Sequence, residues 1–354
     1  MGKVSVVLGG QLGSEGKGKI AGYLALKDGF DYSINNFYPN AGHTWVDDTS
    51  KVVVHQLPIA LVNTNIKLVI GPAAAIFLTQ LLSEIIKYEQ IYKISQRLYI
   101  HPRAAVVLDK HIEQEKVANL ARVASTLTGG AAAITEKLLR STDVRLARDF
   151  EALKPYTQRP TEEIILDALQ NGKKVLVEGA QGFELDINYG FEYPYCTSRQ
   201  THTTQVIADC GIPYNEVDRV YAVIRTYPIR VGNREEGTSG QWPSTELTWS
   251  KVEERGGWSR NELKINEKTT TTKRNRRVFD FDYERLKKMV QINQPTDICL
   301  NHVDYLDKSD HGVRDFNLLS AKAQTMIKKI EKEIDVKVSL IGTGPNNQDI
   351  IDLR

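Results

Sequence analysis

A glycine-rich run, Gly9-Gly10-Gln11-Leu12-Gly13-Ser14-Glu15-Gly16-Lys17-Gly18-Lys19, follows an apolar, strand-like segment and precedes a helical pattern. The backbone N–H groups of such a loop, with a helix N-terminus behind them, can collect phosphate oxygens. A tight strand-to-helix turn without a ligand would use glycine in the same way. The run is not a Walker A loop, which needs Gly five residues before its Gly-Lys pair and Ser or Thr after it; those places hold Gln11 and Gly18. His43, within Asn40-Ala41-Gly42-His43-Thr44, has a side chain suited to giving or taking a proton near neutrality, although a lone histidine is often only structural. Arg274 and Arg276 lie two apart behind Thr271 and Thr272, and a guanidinium fork matches a carboxylate. A solvated basic run is the alternative.

These segments need a frame. Runs at Val4–Leu8, Val52–His55, Lys67–Ile70, Val175–Val177, Val220–Ile224 and Val336–Ile341 alternate with stretches of helical period, which predicts an α/β fold. Near the C-terminus, Ser320 can cap a helix whose Ala323, Met326, Ile327, Ile330 and Ile334 recur at three- and four-residue spacing. Polar, irregular stretches at 35–49, 125–135, 233–242 and 255–277 are expected as loops. No repeat or linker divides the 354 residues, so a single domain over 1–354 is expected.

Lys and Arg total 46 against 44 Asp and Glu, leaving a net charge of +2 and no global field for nucleic acid or an anionic membrane. Anion binding must therefore be local. Cys196, Cys210 and Cys299 lack metal-ligand spacing and form an odd count, which fits a reducing compartment without structural zinc. The chain enters its first strand directly and has no apolar run of spanning length, so neither a signal peptide nor a membrane segment is expected, and a cytoplasmic location is.

Taken in order, Gly10-Gln11, Gly13 and Glu15 to Lys19, then Asn40 to Thr44, resemble motifs of the adenylosuccinate synthetase family. So do Glu178-Gly179-Ala180-Gln181-Gly182 with Tyr193-Pro194-Tyr195-Cys196-Thr197-Ser198, Thr271 to Arg277, and Gly342-Thr343-Gly344-Pro345. The resemblance implies a P-loop NTPase-like fold, a mostly parallel central sheet flanked by helices with long active-site loops. It also implies a ligase that phosphorylates a purine 6-oxygen with a nucleoside triphosphate and displaces the phosphate with the amine of L-aspartate. A purine 6-oxo group leaves poorly, so charge-stabilising groups must stand ready at the oxygen and the transferred phosphoryl group.

On that resemblance, Ser14, Lys17, His43 and Gln181 are the catalytic set, with His43 acting on the 6-oxygen. The phosphate donor falls to Gly13, Glu15, Gly16, Lys17, Gly18, Thr44, His302, Asp304, Gly342 and Gly344. The monophosphate falls to Ser14, Asn40, Thr126, Arg140, Gln181 and Thr197, and aspartate to Thr271, Thr272, Arg274 and Arg276. Magnesium is implied at Ser14 and the Gly42 carbonyl. Arg140 reaches across from a second subunit in the family, which implies a homodimer. His55 also matches a family position, but its strand-like setting favours core packing.

Two departures bear on substrate. Ser14 stands where ordinary members carry the Asp that takes the N1 proton of inosine monophosphate (IMP) and ligates magnesium. A viral branch with this exchange aminates 2′-deoxyguanosine monophosphate (dGMP) toward 2-aminoadenine DNA; the shorter side chain leaves room for the exocyclic 2-amino group. His302 and Gly342 replace the Lys and Ser that read guanine in the donor, while Asp304 remains, which points to ATP or dATP. The stretch 125–133 also departs from the family's Gly- and Pro-bearing pattern. The expected activity is ligation of dGMP with L-aspartate; the alternatives are an ordinary synthetase acting on IMP and an inert nucleotide-binding homologue.

Overall fold

The computed structural model describes residues 3–267 and 275–354. Among them, nine strands form the main sheet: β1 (Val4–Gly9), β2 (Tyr32–Asn35), β3 (Lys67–Ile70), β4 (Leu98–Ile100), β5 (Val175–Glu178), β6 (Val217–Arg225), β7 (Asp297–Asn301), β8 (Val338–Gly342) and β9 (Ile350–Asp352). Their order is β9-β8-β7-β6-β1-β5-β2-β3-β4, parallel throughout except for β9. This is the expected α/β fold with a mostly parallel central sheet.

The central strands are apolar because both faces are covered. β1 is buried along its whole length, and its side chains alternate between two cores. Val7 joins Ile20 and Leu24 of helix α1 (Lys17–Lys27) on one face. Val6 and Leu8 join Ile327 and Ile330 on the other. Those isoleucines belong to the helix Ala321–Ile334, where Ser320 Oγ accepts from Ala323 N at 3.2 Å, the cap expected from sequence. Burying each isoleucine contributes about 1.5–3 kcal/mol.

Three expected boundaries shift. The Val52–His55 run is a strand, Lys51–Val54, but it pairs antiparallel in a separate ribbon with His43–Val46, a strand that falls inside the expected loop at 35–49. The helix Gly130–Leu138 begins inside the expected loop at 125–135. Alanines at 131–133 favour it, and Glu115 satisfies its opening donors by accepting from Gly129 N at 2.9 Å and Ala131 N at 3.0 Å. A short helix, Glu262–Asn266, interrupts 255–277. No described helix is long and apolar enough to cross a membrane.

Because the strands run parallel, Gly9, Asn35, Glu178, Arg225, Asn301 and Gly342 all end at one edge of the sheet. In such sheets the crevice outside the carboxyl ends of the strands is where ligands bind.

Candidate active site

The glycine-rich loop turns from β1 into α1 through left-handed backbone at Gly13, Ser14 and Gly16, with φ of 88°, 58° and 94°. Glycine takes such angles freely, whereas Ser14 is held there by its surroundings. Arg225 Nη1 donates to the Ser14 carbonyl at 3.2 Å, and the Ser14 side chain is exposed at the cleft. No side chain caps α1, so its first N–H groups remain available to an anion.

Glu15 is fully buried under this loop. Its Oε1 accepts from Gln11 N at 3.1 Å and Gly13 N at 2.8 Å, and its Oε2 from Lys17 Nζ at 2.7 Å. Glu15, expected among donor-binding residues, is thus an internal strut that sets the loop's curvature and aims Lys17. Only its backbone is left to offer a phosphate. Gly18 answers a different need: a Cβ there would lie 2.8 Å from both the N and O of Thr44, so glycine lets the His43–Val46 strand press against the start of α1.

His43 opens that strand and is 5% exposed, with its ring edge-on to Phe37 at 4.5 Å between centroids. Its Nδ1 stands 3.8 Å from Glu178 Oε2, too far for a hydrogen bond, and has no other partner. The Glu178 carboxylate is already occupied by Ser33 Oγ, Ile59 N and Ala60 N at 2.8–3.0 Å. Burial pushes the imidazole pKa below its usual value against the pull of Glu178, and Lys17 adds to the depression. His43 is therefore neutral at pH 7, a donor of a hydrogen bond rather than of positive charge.

A cleft of about 290 Å³ collects Gly13, Ser14, Gly16, Lys17, Gly18, Asn40, Gly42, His43, Thr44, Thr126, Gln181, Arg276 and His302, expected residues drawn from six segments. At Thr126 the neighbouring helix end is already filled by Glu115, so an anion there would rely on hydroxyls such as those of Thr126 and Thr128, 3.4 Å apart. Thr197 is buried to the side, its N–H donating to Leu185 O at 2.8 Å. Arg140 is exposed, at φ 57°, and lies outside this chain's own cleft. Thr271, Thr272 and Arg274 fall outside the described residues. His55 is partly buried, its Nδ1 2.7 Å from Ala41 O, which fits the structural role expected of it.

Asp304 and Gly344 gather around Lys19, and Gly342, which ends β8, lies against Asn301. Lys19 Nζ donates to Gly344 O at 2.6 Å and Asp349 O at 2.7 Å, tying α1 to the last turn of the chain, and burial lowers its pKa to about 8. Asp304 Oδ2 pairs with His311 Nδ1 at 2.9 Å while its Oδ1 lacks a partner, and burial raises its pKa. His302, at φ 62°, is kept neutral by burial and by Arg225.

Arg225, Arg230 and Glu267 line the cleft without having been singled out from the sequence. Arg225 Nη2 meets Glu267 Oε1 at 2.5 Å, Tyr305 Oη donates to the same oxygen at 2.9 Å, and Arg276 Nη1 reaches Glu267 Oε2 at 3.1 Å. Against the burial that would raise it, Arg225 and Arg276 hold the Glu267 carboxyl far below the usual range. Arg230 donates to Ser239 O at 3.1 Å and Tyr195 O at 2.8 Å. The available signal for Arg225 was an arginine at the carboxyl end of the apolar run Val220–Ile224, where a parallel strand delivers its last side chain to the crevice. Nothing comparable marked Glu267.

A family model described as adenylosuccinate synthetase matches residues 6–150 and 144–311. The adenylosuccinate synthetase of Methanococcus maripaludis is 35% identical over 353 residues, 99% of this chain and 98% of the relative. That of Thermococcus onnurineus is 33% identical over 352 residues, again 99% and 98%. Among solved structures, the cyanophage S-2L succinoaminodeoxyadenylate synthetase bound to dGMP and dATP aligns with TM-score 0.82 and 30% identity, covering 100% of this chain and 96% of that one. The fully ligated adenylosuccinate synthetase of Plasmodium falciparum aligns with TM-score 0.85 over the full length of both chains at 24% identity, a likeness of fold.

Proposed function

Because this chain belongs to the adenylosuccinate synthetase family and is a carbon–nitrogen ligase, we propose that it joins L-aspartate to C6 of dGMP, with ATP or dATP as phosphate donor. The observation that carries this is Ser14: its side chain is exposed at the mouth of an otherwise assembled cleft, where the resemblance expects a carboxylate. Among the described residues, the acids that line or underlie the cleft are engaged elsewhere. Glu15 is buried against Lys17, and Glu267 is held by two arginines. A serine leaves space beside N1 and N2 of a guanine, and its hydroxyl can accept a hydrogen bond there. The likeness to a structure holding dGMP and dATP supports the same choice.

In this reading, Lys17 and the N–H groups at the start of α1 receive the donor phosphates. The γ-phosphoryl group passes to O6 of the purine, forming an O–P bond as the bond to the donor's β-phosphate oxygen breaks. Neutral His43 donates a hydrogen bond to O6 as charge grows on it, and the aspartate amine then attacks C6 and expels inorganic phosphate. Arg276 receives an aspartate carboxylate together with Thr271, Thr272 and Arg274. Asn40, Thr126, Gln181 and Thr197 hold the monophosphate, with Arg140 supplied by the partner in a homodimer.

Magnesium fits what the cleft offers. Ser14 and Gly42 are both exposed there, two hard oxygen donors, and no cluster of three or more His, Cys, Asp or Glu suited to a metal stands among the described residues. Phosphate oxygens and water would complete such a site. When bound, the ion would neutralise phosphate charge.

The archaeal relatives, named for the ordinary reaction, favour IMP as the second reading. Incubating the protein with aspartate, magnesium and each pairing of dGMP, GMP or IMP with ATP, dATP or GTP separates them, followed by free phosphate and aminated nucleotide. Faster conversion of IMP than of dGMP would overturn the proposal.

A further inference from the structure

Asn301 closes β7 and is 2% exposed. Its Nδ2 donates to Glu15 O at 2.8 Å and approaches Gly16 O at 3.5 Å, directly ahead of Lys17. Its Oδ1 is buried without a hydrogen-bond partner. On the adjacent strand, where Leu300 pairs with Ile341, the next residue is Gly342. A Cβ at 342 would overlap Asn301 Oδ1 and lie 3.0 Å from its Cγ. A Cβ at 16 would lie 2.5 Å from Asn301 Nδ2. One amide therefore occupies the side-chain space of two glycines, one in the phosphate loop and one in the C-terminal turn. It cannot swing clear of 342 without giving up its hold on Glu15.

A buried acceptor left unpaired is unfavourable, and an apolar residue at 301 would avoid it while losing the bond to the loop. We propose that Asn301 is a positioning residue of the donor site: it fixes the phosphate loop to the sheet edge and forbids any side chain at 342, so the donor meets only backbone there. This rests on the donor site lying across Gly16–Gly18 and 342–344, as read above. It also gives a physical cause for the glycine at 342, since with Asn301 in place the serine expected there has nowhere to go.

The test is a double-mutant cycle of N301A, G342A and N301A/G342A, with the Michaelis constants for ATP, aspartate and dGMP and the melting temperature measured for each. Gly342 does not occupy the left-handed region, so alanine meets no backbone penalty. In the presence of Asn301, G342A should raise the ATP KM roughly tenfold from overpacking. On the N301A background the same change should cost about threefold or less, while the KM values for aspartate and dGMP stay near their starting points throughout. If G342A alone does not fold, recovery of folded protein in N301A/G342A supports the pairing. Additive effects on both melting temperature and ATP KM would overturn it. Coupled melting temperatures with an unmoved ATP KM would overturn the positioning role and leave a packing pair only. The preference of the unmodified enzyme for dGMP over IMP is indifferent to this cycle, so failure of the substrate reading and failure of this one are distinguishable.

Discussion

Ser14→Asp isolates the step on which the substrate assignment turns. The backbone at 14 is left-handed, at φ 58°; aspartate tolerates that region better than most residues, so the change should not unfold the loop. The new carboxylate would project into the exposed side of the cleft, close to an Arg225 guanidinium that already donates to the Ser14 carbonyl at 3.2 Å. That neighbour favours the ionised form, the form a base needs. With IMP, regaining a general base is worth about 10²- to 10⁴-fold in turnover. With dGMP, the longer side chain meets the 2-amino group, and overpacking of about 1–3 kcal/mol corresponds to roughly 5- to 150-fold. The ratio of kcat/KM for dGMP over IMP should therefore fall by at least about 500-fold, the product of the smaller terms. Parallel assays at fixed ATP and aspartate, following the succinylated product, measure it. A ratio within tenfold of the unmodified enzyme would refute the argument and show that residue 14 does not choose the base.

Three further outcomes follow from the site's geometry. His43→Asn should lower kcat by about 10²-fold or more with little change in substrate KM; because burial lowers its folded pKa, His43 in the unmodified enzyme also withdraws stability as pH drops below the unfolded value near 6.5, which melting temperatures across that range would show. Glu15→Ala strips Lys17 and two loop amides of a buried partner, a loss of about 3–5 kcal/mol that should appear as a lower melting temperature together with a raised ATP KM; a change in KM alone would show that the carboxylate is not a strut. Arg140→Ala should raise the KM for the monophosphate, and mixing it with an inactive His43→Asn subunit should restore part of the activity; no recovery in any mixture would remove Arg140 from the neighbour's site.

Local signals in the sequence located the parts whose chemistry is local. The strand β1, the glycine-rich turn to Lys19 and the Ser320 cap were legible because each depends on short-range spacing, whereas Asn40–Thr44 was marked by family resemblance and its strand, His43–Val46, fell inside an expected loop. The helix at Gly130–Leu138 was not, because Glu115, from another helix, supplies the acceptor that lets it start at Gly129. Short strands such as Tyr32–Asn35 and Ile350–Asp352 carry too few residues for a period to show. Glu15 looked like a ligand because it sits inside a ligand-binding spelling, and only the fold reveals that its carboxylate faces inward.

Arg225 explains why the missed residues matter as much as the expected ones. Its backbone N–H donates to Gln11 Oε1 at 3.0 Å and its carbonyl accepts from Gln11 Nε2 at 3.2 Å, which fastens β6 to the phosphate loop. One arm of its guanidinium reaches the Ser14 carbonyl and the other reaches Glu267, which also holds Arg276. The residue proposed to choose the base and an arginine proposed to hold aspartate thus share one buried cation. Arg225→Lys keeps the charge but cannot span both partners, since an ammonium lacks the planar fork. Its expected effect is a loss of discrimination between dGMP and IMP together with a raised aspartate KM, measured on the same preparations. A change in only one of the two would mean that the arms of Arg225 act separately, and that Ser14 and Glu267 are joined in space without being joined in function.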